Sequence, residues 1–411
     1  MSFPYLYHIF GVCIALFILL LLLFILLNTR KDKNIQIRDA SLPGEALEDH
    51  ARITALEHSV SSKIYLKNWP LIRMNGNYNF IRSVCRSLND DVMQKQTVPP
   101  AAEWLLDNFY IVEEQVKSIG RDLSKKHYYS LPVLNKGPFK GYARIFAIAM
   151  ELVSHTDGQI EINTLLKYLE AYQSNNILLE REISVIPVMI KLALVENIRT
   201  ISEKIKETKT QWDLADEVFE KWYADEDADS EQIARLLRNN TAAEVNPSFV
   251  EHLFYRLRRS GRCYTKIIKC LDENLEKFHT STEIIAQKEH NVQAVYTVTI
   301  GNCIACLKYL SSFDWSELFE NISHLDQILR QDPDGTYSLM DANSRNYYKS
   351  RIGILAEAYG VSELHIAREA IGLAQEAFRE NGKEMEAETH SDRRSHVGYY
   401  LIGNGLRELE S

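Results

Sequence analysis

Pro99-Pro100-Ala101-Ala102-Glu103-Trp104-Leu105-Leu106-Asp107-Asn108-Phe109-Tyr110-Ile111-Val112-Glu113-Glu114-Gln115-Val116 is the stretch from which the rest of the sequence is read. The two prolines stop whatever precedes them, and Pro100 falls in a first helical turn, where a missing N–H costs nothing. Leu105, Phe109, Val112, Val116 and Ile119 recur at alternating steps of four and three, which makes one continuous apolar seam. Trp104, Leu106, Tyr110 and Ile111 widen that seam over most of the circumference. The pattern predicts a helix inside a bundle, with the other helices packed around it.

The composition agrees. Of 411 residues, 45% are hydrophobic and 25% charged, an ordinary globular balance. With only 17 Gly and 10 Pro, breakers are scarce, and helix formers fill the spaces between them. A net charge of -9 argues against a nucleic-acid partner, whose footprint would be a basic domain. The expected fold class is all-α: one N-terminal transmembrane helix, then a soluble helical array in two subdomains, 61–230 and 231–411.

The membrane helix is expected over Ile9–Leu27, which holds no charged residue. Its length of about 28 Å matches the hydrocarbon thickness of a bilayer. Arg30, Lys31 and Lys33 follow it and nothing basic precedes it, so the positive-inside rule puts the remaining chain in the cytoplasm. Residues 1–33 thus read as a single-pass anchor whose partner is membrane lipid through residues 9–27, and 34–60 as a tether. A cleaved signal peptide would need a basic start and a small-residue cleavage site, and the sequence offers neither. The tether carries His50 and His58 on a short polar helix, where both read as solvated, with no third ligand in register.

Further along, Asn75-Gly76-Asn77 reads as a turn, Lys125–Pro132 as a loop, and Thr156-Asp157-Gly158 as a helix stop. Pro187 should kink a helix running from Glu180 to Lys206. Asn246-Pro247 caps a helix to Ser260, Thr282–Tyr309 breaks near Gly301, and Asp314 opens a helix to Arg330.

Candidate chemistry is sparse. Glu103 and Asp107 stand one turn apart and form a carboxylate pair of the kind a glycosidase uses, although acidic residues in a first turn also complement the helix dipole. Arg256, Arg258, Arg259 and Arg262, with Lys266 and Lys269, are the basic cluster, a candidate contact for an anion or a lipid head group. Among the six cysteines, Cys303-Ile-Ala-Cys306 is a lone C-x-x-C in an apolar helix, so buried thiols are expected rather than a zinc or redox site. Asp332-Pro-Asp334-Gly335 has the D-x-D form of a sugar-nucleotide metal motif, but its composition is that of a tight turn between helices. No catalytic set, cofactor site or metal site is expected from spacing alone.

The stretch Pro99–Gln115 is similar to the N-terminal region of the cyclic β-1,2-glucan synthases, very large membrane glycosyltransferases. So are Gly141–Gly158, Ile186–Asn197, Gln331–Asp341, with Arg345, Tyr347 and Tyr348 just beyond it, and His396–Gly403. Ser184, Ala342 and Asn346 depart from the pattern, which carries Trp, Phe and Asp at those places. Members make cyclic β-1,2-glucan from UDP-glucose, and the resemblance, from about residue 60 onward, lies outside their transferase and phosphorylase-like parts. It implies a membrane-anchored accessory region of a truncated or split synthase, or one working beside a separate glycosyltransferase subunit. Such a region is expected to have no glucosyl transfer of its own. The competing expectations are a helical glycan hydrolase built on Glu103 and Asp107, and an anionic-lipid scaffold built on the arginines.

Overall fold

A computed structural model describes residues 41–61, 68–224, 246–260, 273, 275–276, 280–384 and 393–410. The anchor expected over Ile9–Leu27 lies outside them, as do Arg262, Lys266 and Lys269. Among the described residues no helix is long and apolar enough to cross a membrane.

The fold is all-α. The first helices are α1 (Gly44–Glu57), α2 (Pro70–Met93), α3 (Pro100–Asp122), α4 (Lys125–Ser130), α5 (Arg144–His155), α6 (Ile162–Gln173), α7 (Glu180–Ile183) and α8 (Ile186–Ala224). Then come α9 (Pro247–Arg259), α10 (Thr282–Ser312), α11 (Ser316–Ile322), α12 (His324–Leu329), α13 (Thr336–Leu339), α14 (Ala342–Tyr359) and α15 (Glu363–Glu384). A 3-10 turn at Arg393–Ser395 leads to α16 (Gly398–Leu401) and α17 (Leu406–Leu409). The only sheet among the described residues is a ribbon of β1 (Val60–Ser61) and β2 (Val133–Leu134), antiparallel, with Val60 opposite Leu134. Residues Asp39–Ser411 form one compact unit.

Local chemistry explains most boundaries. Prolines open α2, α3 and α9, and the Asn246 side chain accepts the Ser248 N–H to cap α9. Gly360, at φ +69°, closes α14 in the left-handed conformation that glycine adopts without strain. The stop after α5 is tighter: Gly158 has φ +72°, and a Cβ there would collide with Cys303 Sγ on α10.

Helix α3 is clasped by α2, α8 and α10, and its seam is interior: Leu105, Val112 and Ile119 are fully buried. The widening at Trp104 and Tyr110 is not; these side chains are 50% and 62% exposed. The helix at the centre of the first helices is instead α8, 39 residues or about 58 Å long, which packs on α2, α3, α5, α9 and α10. Met189, Leu194, Val195, Ile198 and Ile205 are buried on more than one side of it.

Several boundaries moved because a tertiary partner overrode the local signal. Helix α2 runs straight through Asn75-Gly76-Asn77, because Arg73 and Asn77, one turn apart, both grip Glu196 of α8. Pro187 does not kink a helix; it lies in the first turn of α8, after a break at Ser184–Val185. Gly301 does not break α10, and the Trp104 ring of α3 lies beside it with room for a Cβ. The helix expected from Asp314 to Arg330 divides at Ser323, whose hydroxyl caps α12 at Asp326 N and also donates to Glu180. Lys125–Ser130 is a capped helical turn, not a loop, with Ser124 as its N-cap.

Two further apolar clusters complete the interior. One joins α8 to α9 through Ala215, Phe219, Val250 and Leu253. The other, built on α12 to α16, holds Leu329, Tyr337, Ile352, Ala370 and Leu401.

Candidate functional site

The cleft between α4, α7, α11, α12, α14 and the start of α15 has a volume of about 650 Å³. Its lining residues are mostly polar or charged, and several of the charges are paired with one another. Lys349 of α14 reaches Glu180 of α7 at 3.1 Å. Arg345, one turn earlier, pairs with Glu320 of α11, which also accepts from Arg330 at 2.6 Å. Asp326 is fully buried beneath them; it accepts from Arg330 Nε at 2.6 Å and from the Tyr337 hydroxyl at 2.7 Å. Glu363, at the head of α15, accepts the Glu180 backbone N–H at 3.3 Å. Burial raises the Glu363 pKa above the usual carboxylate range, and the neighbouring Glu180 charge adds to the shift. The cleft therefore offers one carboxyl with a raised pKa, three cations held by carboxylates (Arg181, Arg345 and Lys349), and the Phe319 ring. Such a wall suits a polar, multiply hydroxylated ligand, which exchanges hydrogen bonds with fixed donors and acceptors. All three positions that depart from the resembled pattern, Ser184, Ala342 and Asn346, line this cleft.

The residues singled out from sequence lie elsewhere. Glu103 and Asp107 are both solvent-exposed on α3, and neither lines the cleft. Arg256 is tied to α8 by Asp216 and Glu220, each at 2.7 Å, and its guanidinium sits over the Phe219 ring. Arg258 and Arg259 are exposed. Cys303 and Cys306 are buried, as expected, and burial pushes both thiols up, Cys306 to about 11. The Cys303 sulfur accepts a hydrogen bond from the Asn197 side-chain amide at 3.4 Å.

Asp332-Pro-Asp-Gly is a tight turn closed by Gly335 N to Asp332 O at 2.9 Å. Its first carboxylate points inward. Asp332 accepts from Val397 N at 2.9 Å, Tyr337 N at 3.3 Å and His396 Nδ1 at 2.6 Å. Asp334 is exposed on the other side. The two carboxylates do not converge on one point as a metal motif requires.

His50 of α1 and His58 just beyond its end are half-buried, not solvated. Helix α1 lies on α6, and His58 Nδ1 meets the Tyr172 hydroxyl at 2.9 Å. Burial, with the Arg144 charge nearby, lowers the His58 pKa to about 4. A neutral folded histidine gives up stability when the unfolded chain takes a proton. The His58 contribution should be complete above pH about 6.5, the unfolded value, and fall away as pH drops toward 4. Urea titrations at several pH values would measure it: wild-type stability minus that of His58→Gln should shrink across that window and then level off.

His50 meets Glu151 of α5 at 3.0 Å, and Glu151 also faces His155 at 3.6 Å. Burial works against the Glu151 charge, but hydrogen bonding to His155 and His50 outweighs it and holds the carboxyl at about 2. The Glu151–His155 pair is spaced one helical turn apart in the sequence, a signal that was readable; that His50 would meet it was not.

No protein-family model matches the chain. Over 338 residues, 82% of its length, it is 29% identical to the cyclic beta-(1,2)-glucan synthase NdvB of Rhizobium meliloti. The chain is thus related to a glucan synthase. The match spans only 12% of that relative, so it concerns a small part of a much larger protein.

Proposed function

We propose that the chain is a helical accessory region of a cyclic β-1,2-glucan synthase-like glycosyltransferase. It is anchored in the membrane through residues 9–27, with its helices on the cytoplasmic side, and it does not transfer glucose by itself. The observation that carries this reading is the 29% identity to NdvB sustained over 82% of the chain. The inward-facing Asp332 carboxylate speaks in the same direction, because it takes the D-x-D element out of sugar-nucleotide chemistry. In this reading the helices act within a longer synthase or beside a separate transferase subunit, and the charged cleft contacts the growing glucan. Phe319 supplies an apolar face, and Arg345 and Lys349 supply donors.

Incubation of the purified full chain with UDP-glucose and Mn²⁺ or Mg²⁺ should yield no β-1,2-linked product. Linear β-1,2-glucan oligosaccharides should still bind, and Arg345→Ala with Lys349→Ala should weaken that binding on the order of tenfold, the effect of losing about one net charge-assisted hydrogen bond. Glucan formation by this chain alone would overturn the accessory reading. Release of shorter glucans from the oligosaccharides would favour a hydrolase instead.

A further inference from the structure

We propose that His50, Glu151 and His155 form a binding site for a first-row divalent cation of the zinc class. Among the described residues, this is the set whose His, Cys, Asp and Glu donor atoms converge: one atom from each lies within 4.8 Å of the other two. A tetrahedral zinc ion with bonds of about 2.0–2.1 Å holds its donors about 3.3 Å apart. The Glu151 oxygen is 3.0 Å from His50 Nε2 and 3.6 Å from His155 Nε2, which brackets that value. Two imidazoles and one carboxylate are the donor types that zinc and ferrous ion favour.

The scaffold supports the geometry. Glu151 and His155 stand one turn apart on α5, whose end is held where Leu42 N and the Ser41 hydroxyl both donate to the His155 carbonyl. His50 comes from α1, which is fixed independently on α6. His155 is 3% exposed at its side chain, whereas His50 is 17% and Glu151 24% exposed. The set is therefore closed on the interior side and open toward solvent, so a fourth position is left for water. A second observation points to the same place. Among the described residues the Tyr168 hydroxyl is fully buried with no hydrogen-bond partner, and it feels the Glu151 charge. A buried hydroxyl of that kind costs stability unless something bonds it. The bound ion would also staple α1, the first helix described, to α5.

The site is independent of the proposed glucan function and is tested separately. The full chain, with any affinity tag removed, is titrated with Zn²⁺ against a chromophoric chelator, and with Co²⁺ while its visible d–d absorption is followed. The expected result is one ion per chain with tetrahedral cobalt bands. His50→Ala and Glu151→Gln should each weaken uptake on the order of 100-fold or more, since even altered support around a metal ligand costs 10- to 100-fold. Circular dichroism of His50→Ala, a change at a partly exposed position, guards against loss by misfolding. Uptake that persists unchanged in a folded His50→Ala would overturn the proposal, as would no stoichiometric uptake by the wild type. In that case the three side chains are a hydrogen-bonded relay that ties two helices together.

Discussion

Replacing Arg144 by Met should destabilise the protein by about 3–5 kcal/mol, the usual cost of leaving one partner of a buried ion pair uncompensated. Arg144 opens α5 and is 3% exposed. Its guanidinium forks onto Glu182, which is fully buried, with Nε donating at 2.9 Å and a terminal nitrogen donating to the second oxygen. The same terminal nitrogen also donates to the Ile177 carbonyl at 3.1 Å, the other donates to Asn176 Oδ1 at 2.5 Å, and Glu182 also accepts from Leu179 N at 3.0 Å. Burial opposes the Arg144 charge, but Glu182 more than offsets this and raises its pKa. Without the guanidinium, Glu182 must stay ionised among apolar groups or take up a proton. The double replacement Arg144→Met with Glu182→Met should recover much of the loss, because an apolar pair of similar volume is often as stable as the ion pair. Urea unfolding followed by circular dichroism measures both. A double variant as unstable as the single one would mean that the loss comes from packing, not charge.

Asp332→Ala should cost about 3 kcal/mol, whereas Asp334→Ala should cost less than about 1 kcal/mol. The asymmetry follows from what each carboxylate does. Asp332, 5% exposed, satisfies the backbone N–H groups of Tyr337 and Val397 and holds His396 against Tyr348. Its loss strands buried donors at the centre of the cluster built on α12 to α16. Asp334 is exposed and bonds Thr336 two residues on. A metal-binding D-x-D would behave differently: both replacements would abolish ion-dependent binding with little change in stability. Thermal and urea unfolding of the two variants, compared side by side, separate the cases. Equal stability of Asp332→Ala and wild type would contradict the structural account.

How much of this was legible in the sequence depends on the range of the forces involved. Signals that act within one turn were readable: the prolines that open α3 and α9, Asn246 as a cap, Gly158 as a stop, and the Asp332–Gly335 turn. The apolar seam of α3 was readable too, since Leu105, Val112 and Ile119 face inward. Two of its flanking aromatics were misread, because periodicity marks a stripe but not its width, and Trp104 and Tyr110 fall just past the edge. Signals set by distant partners were not readable. Asn75-Gly76-Asn77 has turn composition, and only the Glu196 carboxylate across the interior keeps it helical. The cleft joins residues from Lys126 to Glu363, and no spacing rule connects α4, α7, α11 and α14. His50 and Glu151 are 101 residues apart, so the proposed ligand set appears only once α1 lies on α6.

The 39 residues of α8 run without interruption from the buried Met189–Ile205 stretch to the second cluster at Ala215 and Phe219. A continuous rod of this kind is stiff along its axis, since bending it would stretch backbone hydrogen bonds on one side. The one helix therefore carries the packing of α9 at its Ala215–Phe219 stretch and also packs on α2, α3 and α5, so these elements share a single backbone. A break in that backbone between Ile205 and Ala215 would divide the support of α9 from the support of the helices packed nearer its start.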